Sequence, residues 1–497
     1  MLTFAFTGLL AALVIFWGPD RVRDMEAEPV PATLAGLFVG LLAACFLTYA
    51  LAQWVRSMLS TPVLADMLIV VREGTRRFLD GMNPYTHYRT YDAPWDMVLP
   101  YGPLLWGPYL VPQALQVDLR VVSIAGALSV PVWAAVTATV EARRRRAASA
   151  AAWLVLLVAI VSSVQFSGFT LMGHTPAYWP LLPLFAWCLT ERHWRSAAVV
   201  LGALLVARST MVALVPVFLV VVWTRDRSRA LMAVSLVVGT ALVFILPFVL
   251  WDAGALWDNM VASYPRIVKS VVWPSPVHGI ANTIGLTGWL VSHRLERWVE
   301  ASQVVGMIAV YAAAWRPLRR GARPLPWMGL SLLVFSLTSL WPVYYLYFDV
   351  LLLLVSGAAI ETLAGRFSVK TWALGTSATA LAVVLATLMM TSTYPSLAFA
   401  PPTPPGSFAL SRRTTAAAFV MVDYTATGEY AAPVVVTATL NGHELWTSPV
   451  AADAGTLRVP APASTWWIGF NRLDIAVAPQ YVAAFSVSRI RVVAGPR

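Results

Sequence analysis

The sequence predicts an α-helical polytopic membrane protein with a C-terminal all-β domain. Three observations predict it. Hydrophobic residues make up 59% of the chain and charged ones 12%, with a mean hydropathy of +0.69. Apolar runs of spanning or near-spanning length recur along most of the sequence. After residue 391 the pattern changes to short alternating stretches rich in β-branched and aromatic residues. A water-soluble globule of 497 residues could not clothe its surface with so little charge. The net charge of +11 would suggest nucleic acid in a soluble protein. In a membrane protein an arginine excess reports loop orientation instead, so no nucleic-acid partner is expected. Cys45 and Cys188 both fall in apolar runs and read as small core residues, not as a disulfide or metal pair.

Apolar runs at 2–17, 33–54, 121–140, 148–166, 177–189, 197–223, 230–250, 304–315, 327–340, 345–360 and 372–390 predict about 11 to 13 transmembrane helices. The run at 2–17 has no basic segment before it and no A-x-A site after it, so it reads as a retained helix and not a signal peptide. Arginine-rich connections set the sidedness: Arg143 to Arg146, the trio Arg225, Arg227 and Arg229, and residues 316–323 should stay cytoplasmic. The segments at 191–195 and 365–370 agree. Alternation then puts Asp66, His174, residues 251–300 and everything after 391 on the outside.

Two stretches break the simple count. The run at 197–223 lies between two cytoplasmic clusters, so it must leave and return, yet at about 1.5 Å per residue it is too short for two spans. It predicts a half-depth hairpin with Arg208, Ser209 and Thr210 at its tip, which puts an arginine inside the membrane. Residues 99–115 hold too many prolines and aromatics for a span and predict an interfacial or re-entrant segment, with Trp106 and Tyr109 near the headgroups. The domain division is therefore a membrane domain at 1–391, with external loops at about 55–120 and 251–300, a proline-rich linker at 392–406 and a β domain at 407–497.

Within the β domain, 418–424, 434–440 and 468–477 read as strands, and Asn441-Gly442 predicts a two-residue hairpin because both central positions of a type I′ turn need positive φ. The whole predicts a small β-sandwich, jelly-roll-like. Trp446, Trp466 and Trp467 read as core aromatics before they read as sugar-stacking platforms. No internal repeat or low-complexity tract of functional weight is evident.

The most informative stretch is residues 65–85, ADMLIVVREGTRRFLDGMNPY. Asp66 follows an apolar run, and fifteen residues later Gly81 opens G-x-N-P-Y with Asn83, Pro84 and Tyr85. Tyr101-Gly102-Pro103 comes further on. This pattern resembles the first external loop of GT-C glycosyltransferases, above all those using polyprenol-phosphate sugars, in the spacing of the acid and in the later Y-x-P element. The resemblance covers most of the membrane region by layout and only the first loop by motif. One departure is that Val70 and Val71 stand where aromatic residues would be expected after the acid. The resemblance implies a GT-C-like membrane domain in a bacterial plasma membrane, with active site and β domain extracytoplasmic.

Glycosyl transfer needs a base for the acceptor hydroxyl, and Asp66 is the residue expected to act as it. The plain alternative is a helix cap, a common role for Asp. Glu73 and Asp80, set among Arg72, Arg76 and Arg77, read as a charged interfacial face. A polyprenyl-phosphate leaving group gathers negative charge, so donors are needed near it. Arg208 is the first candidate, the alternative being a structural pair with Asp349. His278 in the second external loop is a further candidate for the phosphate, and His174, Asn83, Tyr85, Tyr101, Tyr344 and Tyr345 for the sugar or lipid. No cluster has metal-ligand spacing, so no resident metal is expected, a divalent cation staying open as a cofactor. The expected partners are membrane lipid, a polyprenyl-phosphate sugar donor and a glycan or lipid acceptor. The competing class is a transporter or flippase of lipid-linked glycans, which would show repeated halves rather than one motif-bearing loop.

Overall fold

A computed structural model describes residues 32–60, 66–88, 98–172, 174–273, 285–342, 346–365, 406–411, 418–426, 434–440, 443–450, 454–461, 470–477 and 485–494. The runs at 2–17 and 372–390 and the linker at 392–405 lie outside them, as do His278, Tyr344 and Tyr345. Among its described residues, the chain before residue 366 is mostly helical. Its main helices are α1 (Ala32–Ser60), α2 (Asp66–Leu79), α3 (Pro103–Trp106), α4 (Leu110–Ala114), α5 (Arg120–Arg143), α6 (Ala147–Val161), α7 (Val164–Met172), α8 (Leu181–Thr190), α9 (Trp194–Ala207), α10 (Val215–Arg225), α11 (Ala230–Trp257), α12 (Ser263–Ile267), α13 (Leu286–Ser292), α14 (Val299–Arg319), α15 (Pro324–Thr338) and α16 (Leu346–Leu363). Among the described residues, four helical stretches are long and apolar enough to cross a membrane: Ala32–Met58, Arg120–Arg143, Arg227–Ser270 and Leu346–Leu363. The architecture is that of a helical membrane protein.

Contacts sort the helix ends into two faces. On one, Arg144 donates to the carbonyls of Thr362 and Leu363 (3.0 and 2.7 Å), and Arg225 donates to that of Ala322 (2.7 Å). Arg323 is ion-paired with Glu361, Arg192 lies near enough to Arg225 for their charges to interact, and the Arg143 stem lies against Gly36. The arginine clusters of distant loops thus meet on one side, as the charge pattern predicts. On the other, Arg120 donates to the carbonyls of Met58 and Leu171 (2.7 and 3.2 Å), joining the opposite ends of α1, α5 and α7.

The 197–223 run is the predicted hairpin, with α9 leaving and α10 returning to the arginine face. Two details differ. Its arms splay, α9 packing along α8 and α11 while α10 packs along α14 and α15. It also goes deeper than half-way: α9 has 14 residues, or about 21 Å of a core about 30 Å thick, and its end touches the outer loop. The break at 208–214 frees main-chain groups, and the Ala213 carbonyl accepts from Ser331 Oγ at 2.6 Å and Tyr311 Oη at 3.2 Å. The 148–166 run is also not one helix: it breaks at Ser162 and Ser163 and resumes as α7.

Residues 99–115 form a broken helical segment, as expected of a re-entrant piece. Trp106 and Tyr109 are not at headgroups, however; both are buried in protein, Trp106 against Phe78 and Phe248, Tyr109 on the Ser123 hydroxyl. The second external loop keeps helical structure well past α11, running through α12 to Trp273.

The C-terminal unit holds seven described strands: β1 (Gly406–Ser411), β2 (Ala418–Ala426), β3 (Val434–Leu440), β4 (His443–Val450), β5 (Ala454–Ala461), β6 (Phe470–Val477) and β7 (Phe485–Ala494). They make two antiparallel sheets, ordered β1-β6-β3-β4 and β5-β2-β7. Leu440 pairs with His443, the register a two-residue Asn-Gly connection needs. Val420, Val422, Val436 and Ala438 alternate into the interior. The side chains of Trp446, Trp466 and Trp467 lie outside the described set.

Glycine is obligatory at residue 102, where an added Cβ would lie 1.8 Å from the Val206 carbonyl oxygen, whereas at Gly107, in a right-handed conformation, it would meet nothing within 4 Å. Gly102→Ala should destabilise the protein by about 1–3 kcal/mol and Gly107→Ala should not. Thermal unfolding of both variants in lipid nanodiscs checks this, and equal melting would mean that the outer loop does not seat on α9.

Candidate active site

The G-x-N-P-Y motif is first a device for shaping the loop. Gly81, at φ 72°, closes α2 through Met82 N–H to the Arg77 carbonyl and Gly81 N–H to Phe78, a C-terminal cap that favours glycine. Asn83 Oδ1 accepts from the Tyr85 amide at 2.9 Å, an Asx turn that redirects the chain. Tyr85, 1% exposed, donates to the Tyr101 carbonyl at 3.1 Å and accepts from Trp106 Nε1 at 3.3 Å. Asn83, Tyr85 and Tyr101 thereby tie α2 to the Tyr101-Gly102-Pro103 element. Val70 and Val71 are buried, so the positions that depart from the family pattern serve the core. Arg72, Arg76 and Asp80 are exposed around Glu73, the charged helix face expected of them.

Asp66 is the first residue of α2, a position open to a cap and a base alike. Its neighbour Met67 is buried, with Sδ 3.1 Å from His174 Nδ1. His174 stacks on Phe169 with ring centroids 4.4 Å apart, and its carbonyl accepts from Ser123 Oγ at 2.9 Å. Burial first, and then the charge of Arg208, push the His174 imidazole well below its ordinary pKa, so it is neutral.

Arg208 sits at the break after α9, in extended conformation and 8% exposed. Its Nε is 3.6 Å from Asp349 Oδ2, and its guanidinium lies 5.7 Å from the centre of the Tyr178 ring. The other Asp349 oxygen accepts from Tyr178 Oη at 2.5 Å and Trp179 Nε1 at 2.9 Å. Phe166, Phe169 and Phe348 wall the cluster, Trp179 stacking on the first two. The hydroxyls of Thr175 and Thr210, on the segments carrying His174 and Arg208, are buried and find no hydrogen-bond partner. Asp349 is therefore a counter-ion of Arg208 within the protein, an arrangement open to a structural pair and to a phosphate-binding cation alike. The Tyr178 and Trp179 donors escaped the sequence reading, since aromatics in an apolar run look like core.

A second anchorage also went unseen. Asp252 breaks α11 with an extended backbone and caps the continuation through the Ala255 amide. Beyond it Asn259, 1% exposed, accepts from the Leu99 amide at 2.9 Å, and Asp258 bonds His87 Nε2 at 2.6 Å and Arg266 at 2.9 Å. The His87 hydrogen bond holds the Asp258 carboxyl below the usual carboxylate range. Among the described residues no group of three or more His, Cys, Asp or Glu could hold a metal ion. No family model, curated protein or solved structure matches the chain.

Two outcomes are expected. Asp349→Asn should cost about 3–5 kcal/mol, because it takes a negative charge from beside a buried guanidinium, while Arg208→Met combined with Asp349→Leu should recover most of that. Unfolding of the single and double variants gives the coupling; simple additivity would mean the charges do not support each other. Because the Asp258 pKa is depressed in the folded protein, its contact contributes above the unfolded carboxylate value and is lost as pH falls through the folded one. Protection of the Leu99 amide against exchange, corrected for intrinsic rate, should drop as the pH is lowered from about 7 to about 3, and Asp258→Asn should flatten that dependence. A wild-type profile as flat as the variant's would remove the electrostatic role of the clasp.

Proposed function

We propose that the chain is an integral-membrane glycosyltransferase of GT-C type that moves a sugar from a polyprenyl-phosphate donor to a glycan, lipid or cell-envelope acceptor on the extracytoplasmic face of a bacterial plasma membrane. One observation carries this reading. The helix that begins with Asp66 abuts His174, and the charge of Arg208, from a segment far away in sequence, reaches that same histidine. His174 thus links the helix that Asp66 begins with the segment that carries Arg208, which supports assigning the motif acid and the cation to one site.

The chemistry has a stated need for each. An acceptor hydroxyl gives its proton to Asp66 as its oxygen attacks the anomeric carbon, and the carbon–oxygen bond to the phosphate breaks with negative charge gathering on the leaving group. Arg208 would take that charge, with the partnerless hydroxyls of Thr175 and Thr210 as further donors. The membrane domain would cross the bilayer with 11 to 13 spans, and the separation of β2, β5 and β7 from the other strands favours a jelly-roll-like sandwich. His278 would contact the donor phosphate, and Tyr344 and Tyr345 the sugar or lipid.

Asp66→Asn keeps the shape and capping capacity of the side chain and removes its basicity. Single-turnover transfer from a polyprenyl-phosphate sugar should fall by about two to four powers of ten, with unchanged thermal unfolding. Near-normal transfer would leave Asp66 a helix cap. Absence of any donor consumption by the wild type would return the buried ion pair to the transporter reading.

A further inference from the structure

A groove enclosing about 340 Å³ runs between α2 and the chain entering α5, lined by Leu68, Ile69 and Arg72 on one side and Gln113, Gln116 and Asp118 among those on the other. Its volume is that of a small-ligand site, about 300–1,000 Å³. Ile69 and Arg72 stand three and six residues after Asp66, about 4.5 and 9 Å along the helix axis. The groove therefore starts one turn from the expected base and extends over the length of one or two sugar units.

Its polar groups are of the kind that recognise hydroxyls. Arg72 donates, Asp118 accepts, and the two glutamine amides do both. Asp118 stays ionised: burial raises its pKa, but Arg120, through hydrogen bonds and charge, carries it below the usual carboxylate range. A fixed carboxylate argues against an anionic ligand, and two amides argue against an apolar one. The buried Leu68 and Leu119 give the floor an aliphatic surface.

A second observation concerns Gln116. It has φ 55° and closes α4 through Val117 N–H to the Pro112 carbonyl, a position where glycine is strongly favoured. The other described non-glycine residues at positive φ are Arg145, Arg192 and Arg294, each closing a helix in the same way. A cation near a helix C-terminus has an electrostatic reason to be there. A glutamine has none, and what it adds to glycine is an amide at the wall of the groove.

We propose that this groove binds the acceptor as a neutral, polyhydroxylated saccharide, with Gln113, Gln116 and Asp118 holding its hydroxyls and Arg72 beside them. The proposal rests on the glycosyltransferase reading above. Exposed Val117 lines the groove and Val111 and Leu115 of the same segment are exposed too, so the saccharide has two sources, a free glycan or the headgroup of a glycolipid.

The test uses the full chain in lipid nanodiscs free of glycoside detergent. Wild-type consumption of a panel of polyprenyl-phosphate sugars examines the glycosyltransferase reading by itself. Transfer is then titrated with manno-, arabino-, galacto- and gluco-configured oligosaccharides, free and as octyl glycosides. Gln116→Gly should raise the half-saturating concentration of the best acceptor about five- to tenfold, with kcat little altered and with melting at or above the wild-type temperature, since glycine suits the backbone better. Gln113→Ala should act in the same direction. A preference for free or octyl-linked sugar identifies the source. Unaltered acceptor dependence in both variants, with donor consumption present in the wild type, would overturn the groove assignment and leave the reaction standing.

Discussion

Two opposite charges buried among the helix ends away from the arginine face, Arg208 and Asp349, set conditions that much of the surrounding structure meets. Taking either out of water alone would cost several kcal/mol, so each must arrive with partners. At 3.6 Å the pair is held by charge and not by a short hydrogen bond, and Asp349 needs the Tyr178 and Trp179 donors besides. Those two residues belong to the turn that opens into α8, and their position requires that turn to sit over the start of α16. The stacked rings of Phe166, Phe169 and Trp179 exclude water around the cluster, which strengthens every charge interaction within it. The break in the α9–α10 segment follows from the same demand, because a continuous helix could not turn its arginine inward at the tip and return to the arginine face.

Arginine does a second job at both faces. Arg144 caps the last carbonyls of α16, Arg225 reaches a carbonyl just past the end of α14, and Arg120 gathers carbonyls near the ends of α1 and α7. These are the groups a helix leaves without intrahelical partners, and they carry the negative end of its dipole. The arginines that gather on one face therefore also fasten helices to one another, and Arg120 has the same fastening role on the opposite face.

This explains what was legible in the sequence and what was not. The helical, apolar character of the membrane region, the arginine face, the returning hairpin with Arg208 at its tip and the two-residue β3–β4 connection all rest on hydropathy, charge or local backbone chemistry, which a single sequence carries. Asp349 could be named as a partner because a carboxylate in an apolar run stands out. Tyr178 and Trp179 could not, since their polar atoms are used through a contact with a residue about 170 positions away. The burial of Trp106 and Tyr109 was missed for the same reason: an aromatic residue at a membrane boundary has the same composition signature whether it faces headgroups or Phe248. The depth of the hairpin depended on where its tip meets Gly102, a contact without any local signal.

How the first loop is held bears on what a base at Asp66 could do. Catalytic geometry tolerates errors of about half an ångström, so a residue on an external loop is useful only if the loop behaves as part of the scaffold. Here α2 is tied at its C-terminal end through the Tyr85 hydroxyl to the Tyr101 carbonyl and at its N-terminal end through Met67 to His174. The segment between is fixed by Gly102 against α9 and by the Leu99 amide on Asn259. Most of these ties use main-chain groups, which cannot swing away as long charged side chains do. A solvent-facing electrostatic tie, His87 to Asp258, sits on the side of the loop that meets the α11 extension. Such an arrangement lets the flank at His87 respond to its surroundings while the end of α2 that carries the acid is held against His174.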